Sequence, residues 1–144
     1  MLYVALDPGT ATGWADYEEG TLALREYRDK FVVCQDVENI LQLRDPNEVQ
    51  IVVERFQPRP GVQFVGDSLD IIGAVRYLVW KYGSNDLIIQ SPTEAKGPFP
   101  DKVLKTWGWW DRSDHVRDAA RHLAVTLVKR KLISPRTGEW QGQT

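Results

Sequence analysis

The sequence predicts a single α/β domain with a mixed β-sheet, and three observations carry this prediction. Apolar runs at residues 2–7 and 49–54 have the length and composition of strands. Two further strand patterns flank Glu18-Glu19-Gly20, which is typical of a hairpin. Downstream, stretches with the helical spacing of apolar residues alternate with strand patterns, as they do in α/β proteins.

The predicted elements follow in chain order, and sequence signals mark where they end. Strands are predicted at residues 2–7, 12–18, 21–27, 49–54 and 86–90. Helices are predicted at residues 32–44, 68–82, 101–107 and 114–132. Asp7-Pro8-Gly9-Thr10 forms a tight turn after the first strand. Asp45-Pro46-Asn47 ends the first helix, and Gly83 ends the second.

The chain is expected to hold one domain and two segments outside regular structure. Its 144 residues suffice for one core, and the domain is predicted to span residues 1–133. The loop at residues 55–66 holds two prolines and two glycines, and loops of this length are often functional. Residues 134–144 are predicted to form a polar, loose tail.

Composition excludes some classes of protein and leaves the role of charge open. Cys34 is the only cysteine, which excludes an intrachain disulfide framework and suits a reducing compartment. We expect a cytoplasmic protein, because no apolar run approaches the roughly 20 residues of a membrane span and signal-peptide character is lacking. The net charge is −2, but residues 101–144 carry nine Lys/Arg against five Asp/Glu. This excess indicates either a nucleic-acid-binding patch or a solvated helix end.

Three acidic residues are placed as a metal-dependent nuclease requires. Asp7 and Glu54 each end an apolar strand, and Asp118 lies within the last predicted helix. Hard cations such as Mg²⁺ take oxygen ligands and only a few protein carboxylates, and two such ions can hydrolyse a phosphodiester. Other interpretations stay open for two of the acids. Asp7 alone suits a turn, and a buried Glu54, which needs a partner or a metal, could pair with Arg55.

The last helix adds candidates beside Asp118. Asp114 precedes Asp118 by four residues and His115 precedes it by three, so these side chains can share a face. Asp114 equally suits the first turn of a helix capped by Ser113, and His115 equally suits a surface histidine. Asp118 has no capping role in mid-helix, which favours a functional one.

Four segments resemble motifs of the RuvC-type Holliday junction resolvases. Leu6-Asp7-Pro8-Gly9-Thr10-Ala11-Thr12-Gly13-Trp14-Ala15 resembles the opening D-P-G turn with its T-G pair, and Val52-Val53-Glu54 resembles the second acidic site. Ser91-Pro92-Thr93-Glu94-Ala95-Lys96 resembles the P-x-x-x-K segment, and Asp118-Ala119-Ala120 resembles the D-A-A of the last helix. Each motif alone is weak, but their order and spacing make the match fairly specific.

The resemblance implies an RNase H-like fold, with a mixed five-stranded sheet flanked by helices. It also implies a homodimer that cleaves branched DNA with two Mg²⁺ or Mn²⁺ ions, without a membrane or a small-molecule cofactor. By position, Asp7, Glu54 and Asp118 are implied as catalytic metal ligands, and Lys96 as a catalytic residue near the scissile phosphate. The compact length and divergent middle resemble a bacteriophage member, which would work in the host cytoplasm.

One departure from the family concerns the last helix. The family usually repeats the acid three residues on, as D-A-A-D, and Arg121 stands at that position here. The resemblance therefore requires a fourth ligand from elsewhere, and Asp114 or His115 is nearest in the sequence.

The loop after Glu54 suits DNA handling. Aromatic side chains can stack on bases opened at a branch point, with a gain of about 1–3 kcal/mol per base. An equally open interpretation is that the phenylalanines pin the loop to the core. The residues predicted to bind DNA are Arg55, Phe56, Arg59 and Phe64.

Other aromatic residues favour structural roles. The tryptophans at positions 107, 109 and 110 suit core or dimer contacts better than DNA wedges. A dimer face is predicted on the outer side of the helix at residues 68–82, through some of Tyr77, Trp80 and Lys81, although a core role suits Trp80 equally.

Three functions therefore compete. The leading one is a junction-resolving endonuclease. The second is a nuclease of the same fold that acts on flaps or single strands. The third is a non-catalytic module that binds structured nucleic acid or a partner, which the loss of the repeated helix acid keeps open. A sugar-kinase-like ATPase also opens with an Asp-x-Gly-Thr turn, but it needs two such domains.

Overall fold

A computed structural model describes residues 1–58 and 66–142 of the chain, and they contain the predicted mixed five-stranded sheet. The strands are β1 (Leu2–Asp7), β2 (Thr12–Glu18), β3 (Thr21–Tyr27), β4 (Val49–Glu54) and β5 (Ile88–Gln90). The helices are α1 (Lys30–Leu43), α2 (Gly66–Tyr82), α3 (Pro92–Lys96), α4 (Asp101–Trp107) and α5 (Asp114–Lys129). A short 3₁₀ turn at Pro46–Glu48 precedes β4.

Strand order brings two of the predicted acids together. The order is β3-β2-β1-β4-β5; β1 and β2 pair antiparallel, whereas β1 and β4 run parallel in adjacent positions. Leu6 pairs with Val53, so the next residues, Asp7 and Glu54, end neighbouring strands at the same edge of the sheet. The two apolar runs of the sequence thus fix where their terminal acids meet.

The sheet separates two cores, and strand alternation assigns each acid to a face. Tyr3 and Ala5 pack in the core that α5 covers, whereas Val4 and Leu6 pack in the core that α1 and α2 cover. The same alternation places Asp7 on the α5 side. Along β4, Val52 lies in the α5 core, which assigns Glu54 to that face as well.

Gly13 lets α5 approach β2 closely. A Cβ atom at this position would lie 1.8 Å from the carbonyl oxygen of His115. Any larger residue would therefore push the start of α5 away from the strands. The glycine of the T-G pair in the opening motif is explained by this approach, which brings the helix face onto the ends of β1 and β4.

The prediction of a loose tail after Ile133 is wrong for its described part. Ile133 forms a β-bridge with Trp140, and the Trp140 ring packs against Tyr17, with 5.8 Å between ring centroids. Ser134 is buried, and its hydroxyl accepts hydrogen bonds from the backbone N–H groups of Arg136 and Thr137. Aromatic packing and backbone hydrogen bonds thus anchor a segment whose polar composition indicates a solvated tail.

Several smaller predictions are settled by burial. Trp109 is buried and Trp107 packs against it, with 5.4 Å between ring centroids, which confirms a core role for both. Trp80 has no such role, because 77% of it is exposed on α2. The helix α3 was not predicted, although Ser91 and Glu94 form a capping box around Pro92. Within the described ranges, no helix is long and apolar enough to cross a membrane.

Candidate metal centre

Three carboxylates converge where β1, β4 and α5 meet. Oxygen atoms of Asp7, Glu54 and Asp118 all lie within 4.8 Å of one another. Asp7 and Glu54 are buried at the strand ends, and the Asp118 side chain is 15% exposed. The three acids singled out in the sequence are therefore brought together, at the edge of the sheet and beneath one helix.

The polar face of α5 follows a simple spacing. His115, Asp118 and His122 occupy positions i, i+3 and i+7, which lie on one side of a helix. All three side chains meet the strand ends, while Ala119 and Leu123 face the core. The close approach at Gly13 brings this face within hydrogen-bond distance of the strand carboxylates.

The outer end of the cluster is the pair formed by Asp7 and His115. His115 Nδ1 lies 3.0 Å from Asp7 Oδ2, and 46% of the His115 side chain is exposed. This hydrogen bond raises the pKa of His115. Burial raises the pKa of the Asp7 carboxyl to about 8, and the neighbouring Glu54 adds to the rise while His115 opposes it.

The inner end is the pair formed by Glu54 and His122. His122 Nε2 lies 3.6 Å from Glu54 Oε1, and only 1% of the histidine side chain is exposed. Burial acts to raise the pKa of Glu54, but the close contacts with His122 and Asp7 outweigh it and lower that pKa to about 2. The two carboxyls therefore shift in opposite directions, the pKa of Asp7 upward and that of Glu54 downward.

The sequence interpretation missed His122. Its signal was available in the spacing of four residues from Asp118 and seven from His115. The residue that holds it, Gln90, ends β5 and lies opposite Glu54 in the parallel register. That contact joins positions 32 residues apart in the chain, so local spacing alone could not reveal it.

Two basic residues meet the Asp118 carboxylate. Lys96 Nζ lies 3.7 Å from Asp118 Oδ2 and is half exposed, so the predicted lysine does reach the cluster. Arg121 Nη1 donates to Asp118 Oδ1 at 2.8 Å. Arg121 is buried, pairs also with Asp101 and donates to the Phe99 carbonyl oxygen at 2.7 Å. Where the family repeats an acid, this chain thus has a guanidinium fixed onto Asp118.

Asp114 stands apart from the cluster. Its side chain is 84% exposed and pairs with Arg117 one turn later on α5. Arg117 also contacts Asp101, which draws it to the side of α5 that faces α4. Of the two residues proposed for the fourth ligand, the structure brings His115 to Asp7 and leaves Asp114 in an ion pair at the surface.

A cleft of about 190 Å³ opens beside Asp7 and Glu54, and Arg55 and Phe56 line it with Pro92. Arg55 is exposed, and its backbone N–H donates to the Gln90 carbonyl oxygen at 2.7 Å, which extends the pairing of β4 past Glu54. The predicted DNA contacts Arg59 and Phe64 lie outside the described residues.

The donor set fits divalent metal ions. Two of the three carboxylates are buried, and neighbouring carboxylates cannot all ionise without positive charge between them. Within the described residues, His115 pairs with Asp7 and Lys96 pairs with Asp118. Oxygen ligands of this kind are those that Mg²⁺ and Mn²⁺ take in proteins.

Comparisons with known proteins establish the fold. No family model and no curated protein matches the chain. The chain is similar to Thermus thermophilus RuvC in complex with a Holliday junction substrate, with a TM-score of 0.68 and 16% identity over 91% of this chain and 96% of that one. A second T. thermophilus RuvC structure gives a TM-score of 0.59 and 15% identity over 97% and 99%. The predicted fold, a mixed five-stranded sheet flanked by helices, is thereby confirmed as the fold that the RuvC structures have.

Proposed function

We propose that this chain is a metal-dependent endonuclease that resolves four-way (Holliday) or branched DNA junctions by phosphodiester hydrolysis. The observation that carries the proposal is the convergence of Asp7, Glu54 and Asp118 within 4.8 Å at the meeting point of β1, β4 and α5. The fold supports it, because T. thermophilus RuvC shares that fold and is known in complex with a Holliday junction substrate.

Four side chains would hold the metal. Asp7, Glu54 and Asp118 supply carboxylates, and His115 beside Asp7 is a better placed fourth ligand than Asp114. Bound at these residues, two Mg²⁺ or Mn²⁺ ions would supply the positive charge that activates a water and stabilises the leaving oxygen of a phosphodiester. The chain's own part is to keep the carboxylates fixed: Arg121 immobilises Asp118, and the ends of β1 and β4 immobilise the other two.

Basic and aromatic residues around the cluster suit a DNA strand. Lys96 is half exposed beside Asp118 and can neutralise a phosphate at the carboxylates. Arg55 and Phe56 line the cleft on the other side of Asp7, where a guanidinium and a ring can contact backbone and base. A strand that crosses the cluster would thus meet positive charge on both sides.

A dimer completes the proposal. A four-way junction has two equivalent strands to cut, and a twofold dimer presents two equivalent sites. The exposed pair Tyr77 and Trp80 on α2, with 6.1 Å between ring centroids and Lys81 beside them, is the proposed contact. This face lies on the opposite side of the sheet from the cluster.

A specific observation favours a second candidate. The buried Arg121 already neutralises Asp118, which reduces the negative charge available to a metal. A non-catalytic module that binds structured nucleic acid is therefore the alternative.

Cleavage of four substrates tests the proposal and separates the candidates. The wild-type protein and Asp7→Asn are incubated with four-way, flap, single-stranded and linear duplex DNA in Mg²⁺ and in EDTA. We expect Mg²⁺-dependent, paired incisions in the four-way junction and loss of cleavage in the variant. Preferential cutting of flaps or single strands would favour the simpler nuclease, and binding without any cleavage would favour the module.

A further inference from the structure

A row of buried polar side chains lies behind Glu54, on the side away from the cleft. Gln90, His122 and Thr126 are each less than 5% exposed, between β5 and α5. They lie beside the apolar core that holds Ile88 and Val52. Polar side chains at such depth are costly unless they are paired, so a paired set indicates a purpose.

Hydrogen bonds link the side chains of this row to one another and to the His122 imidazole, which lies next to the carboxylate cluster. Gln90 Nε2 donates to Thr126 Oγ1 at 3.1 Å, and the Thr126 hydroxyl donates to the His122 carbonyl oxygen at 3.2 Å. The other end of the amide, Gln90 Oε1, lies 2.8 Å from His122 Nδ1. The imidazole is thus held by a side chain from a different element, and its orientation is fixed.

The far nitrogen of that imidazole points at the metal centre. His122 Nε2 is fully buried and has no hydrogen-bond partner within residues 1–58 and 66–142. The facing polar atom is Glu54 Oε1, at 3.6 Å. A buried nitrogen is rarely left unpaired in a native protein, and a carboxylate that binds metal is commonly held by hydrogen bonds from behind.

We propose that His122, supported by Gln90 and Thr126, is a positioning residue that holds the Glu54 carboxylate in the metal centre as an ion pair, in which Nδ1–H donates to Gln90 Oε1 and Nε2–H is directed at Glu54 Oε1. The inference rests on the proposed function, because it assigns Glu54 to a metal site. His122 touches neither metal nor DNA in this role. It sets the direction of a carboxylate whose side chain, at a strand end beside a cleft, would otherwise adopt several rotamers.

Three substitutions test the chain of contacts by calorimetric titration of the DNA-free protein with Mn²⁺. His122→Leu removes the contact, and the affinity should fall about 10- to 100-fold, as is typical when a group behind a metal ligand is lost. His122→Gln keeps an amide N–H directed at Glu54, so its affinity should lie closer to that of the wild type. Thr126→Val removes only the hydrogen bonds of the Thr126 hydroxyl, which does not contact Glu54, and should give the smallest loss of Mn²⁺ affinity.

Controls separate a local effect from general destabilisation. Val125→Ala removes buried volume from the adjacent position of α5, away from the cluster, and should lower the melting temperature without changing Mn²⁺ affinity. In cleavage assays, the His122 variants should lower kcat and leave KM for DNA unchanged. If His122→Leu does not fold, the titrations of His122→Gln and Thr126→Val carry the test.

The possible outcomes separate a failure of the His122 role from a failure of the proposed metal centre. Wild-type affinity in the folded His122→Leu protein would overturn the positioning role, and if that variant does not fold, wild-type affinity in both of the other two would overturn it. Equal losses in His122→Gln and His122→Leu would also overturn it, because glutamine still offers the N–H. If Asp7→Asn binds Mn²⁺ as tightly as the wild type, the proposed metal centre itself fails.

Discussion

The two ends of the carboxylate cluster differ in access, although the same helix supplies a histidine to each. At the outer end, His115 is nearly half exposed and contacts Asp7 beside the cleft. At the inner end, His122 is buried and faces Glu54 with a glutamine behind it. Seven residues of α5 separate the two histidines. Their surroundings therefore decide their roles: the outer histidine can meet metal or substrate, and the inner one can only support a ligand.

The largest effect on cleavage is expected when the strand-end carboxylate at either end of the cluster is replaced by its amide. Asp7→Asn and Glu54→Gln should each lower junction cleavage in Mg²⁺ by more than about 100-fold, since loss of groups behind the ligands alone costs 10- to 100-fold. Asp7→Asn should also raise the melting temperature of the metal-free protein near neutral pH, because a neutral amide avoids the cost of burying the Asp7 carboxyl, whose pKa is raised mainly by burial. Glu48→Gln, an exposed acid far from the cluster, is the matched control. Near wild-type turnover in either variant would remove that residue from the site.

The outer end makes a sharper prediction about the fourth ligand. His115→Ala should lower cleavage about 10- to 100-fold if the imidazole binds metal or supports Asp7. Asp114→Asn should stay close to wild type, because that carboxylate is exposed and paired with Arg117. Steady-state cleavage rates of the two variants decide between them. A larger loss of cleavage in Asp114→Asn than in His115→Ala would make Asp114 the better candidate for the fourth ligand.

Stability of the metal-free protein should fall as pH rises from 5 to 8. The pKa of Asp7 lies at about 8 in the folded protein against an ordinary value of 3.8, so the folded state binds more protons across this range. The raised pKa of His115 acts in the same direction, because its contribution is lost as it deprotonates. Glu54, with its lowered pKa, contributes stability above pH 4.5 that is lost only in more acid solution, outside this window.

Melting temperatures in EDTA at pH 5.5 and 8 measure this dependence. The wild type should melt lower at pH 8, Asp7→Asn should show a smaller difference, and Mg²⁺ should restore stability at pH 8 by binding the ionised carboxylates. A wild-type protein that gains stability toward pH 8 in EDTA would contradict the raised pKa of Asp7.

The smallest effect is expected on the opposite face of the sheet. Trp80→Ser should reduce the dimeric mass in light scattering if α2 is the dimer contact, and should change the unfolding free energy by no more than about 0.5 kcal/mol. Phe31→Ser, an equally exposed aromatic on α1, is the control and should leave the mass unchanged. A dimer that survives Trp80→Ser would place the contact elsewhere.

The strand side of this site is predictable because its determinants are local. The apolar runs that end in Asp7 and Glu54 define buried strands, and parallel pairing must bring their ends together. A functional role for Asp118 is predictable because an acid in mid-helix has no capping role. Gly13 also follows from the opening motif, although its reason, the approach of the His115 backbone, appears only in three dimensions.

The remaining features depend on contacts between distant positions. His122 gains its meaning from Gln90 on another element, and Asp114 loses its expected role because Arg117 and Asp101 form a competing ion-pair cluster. The tail after Ser134 reads as polar, but Trp140 docks on Tyr17 and holds it. For His122 and the tail a long-range partner outweighs the local pattern, whereas for Asp114 an ion pair one turn away on α5 does so.

The most direct test of the metal centre is the anomalous diffraction of crystals soaked in Mn²⁺. We expect anomalous density among Asp7, Glu54 and Asp118, with His115 at its outer side and Glu54 held against His122. Crystals of Asp7→Asn soaked in the same way should show no such density. Manganese bound only elsewhere on the protein, or unchanged density in the variant, would contradict it.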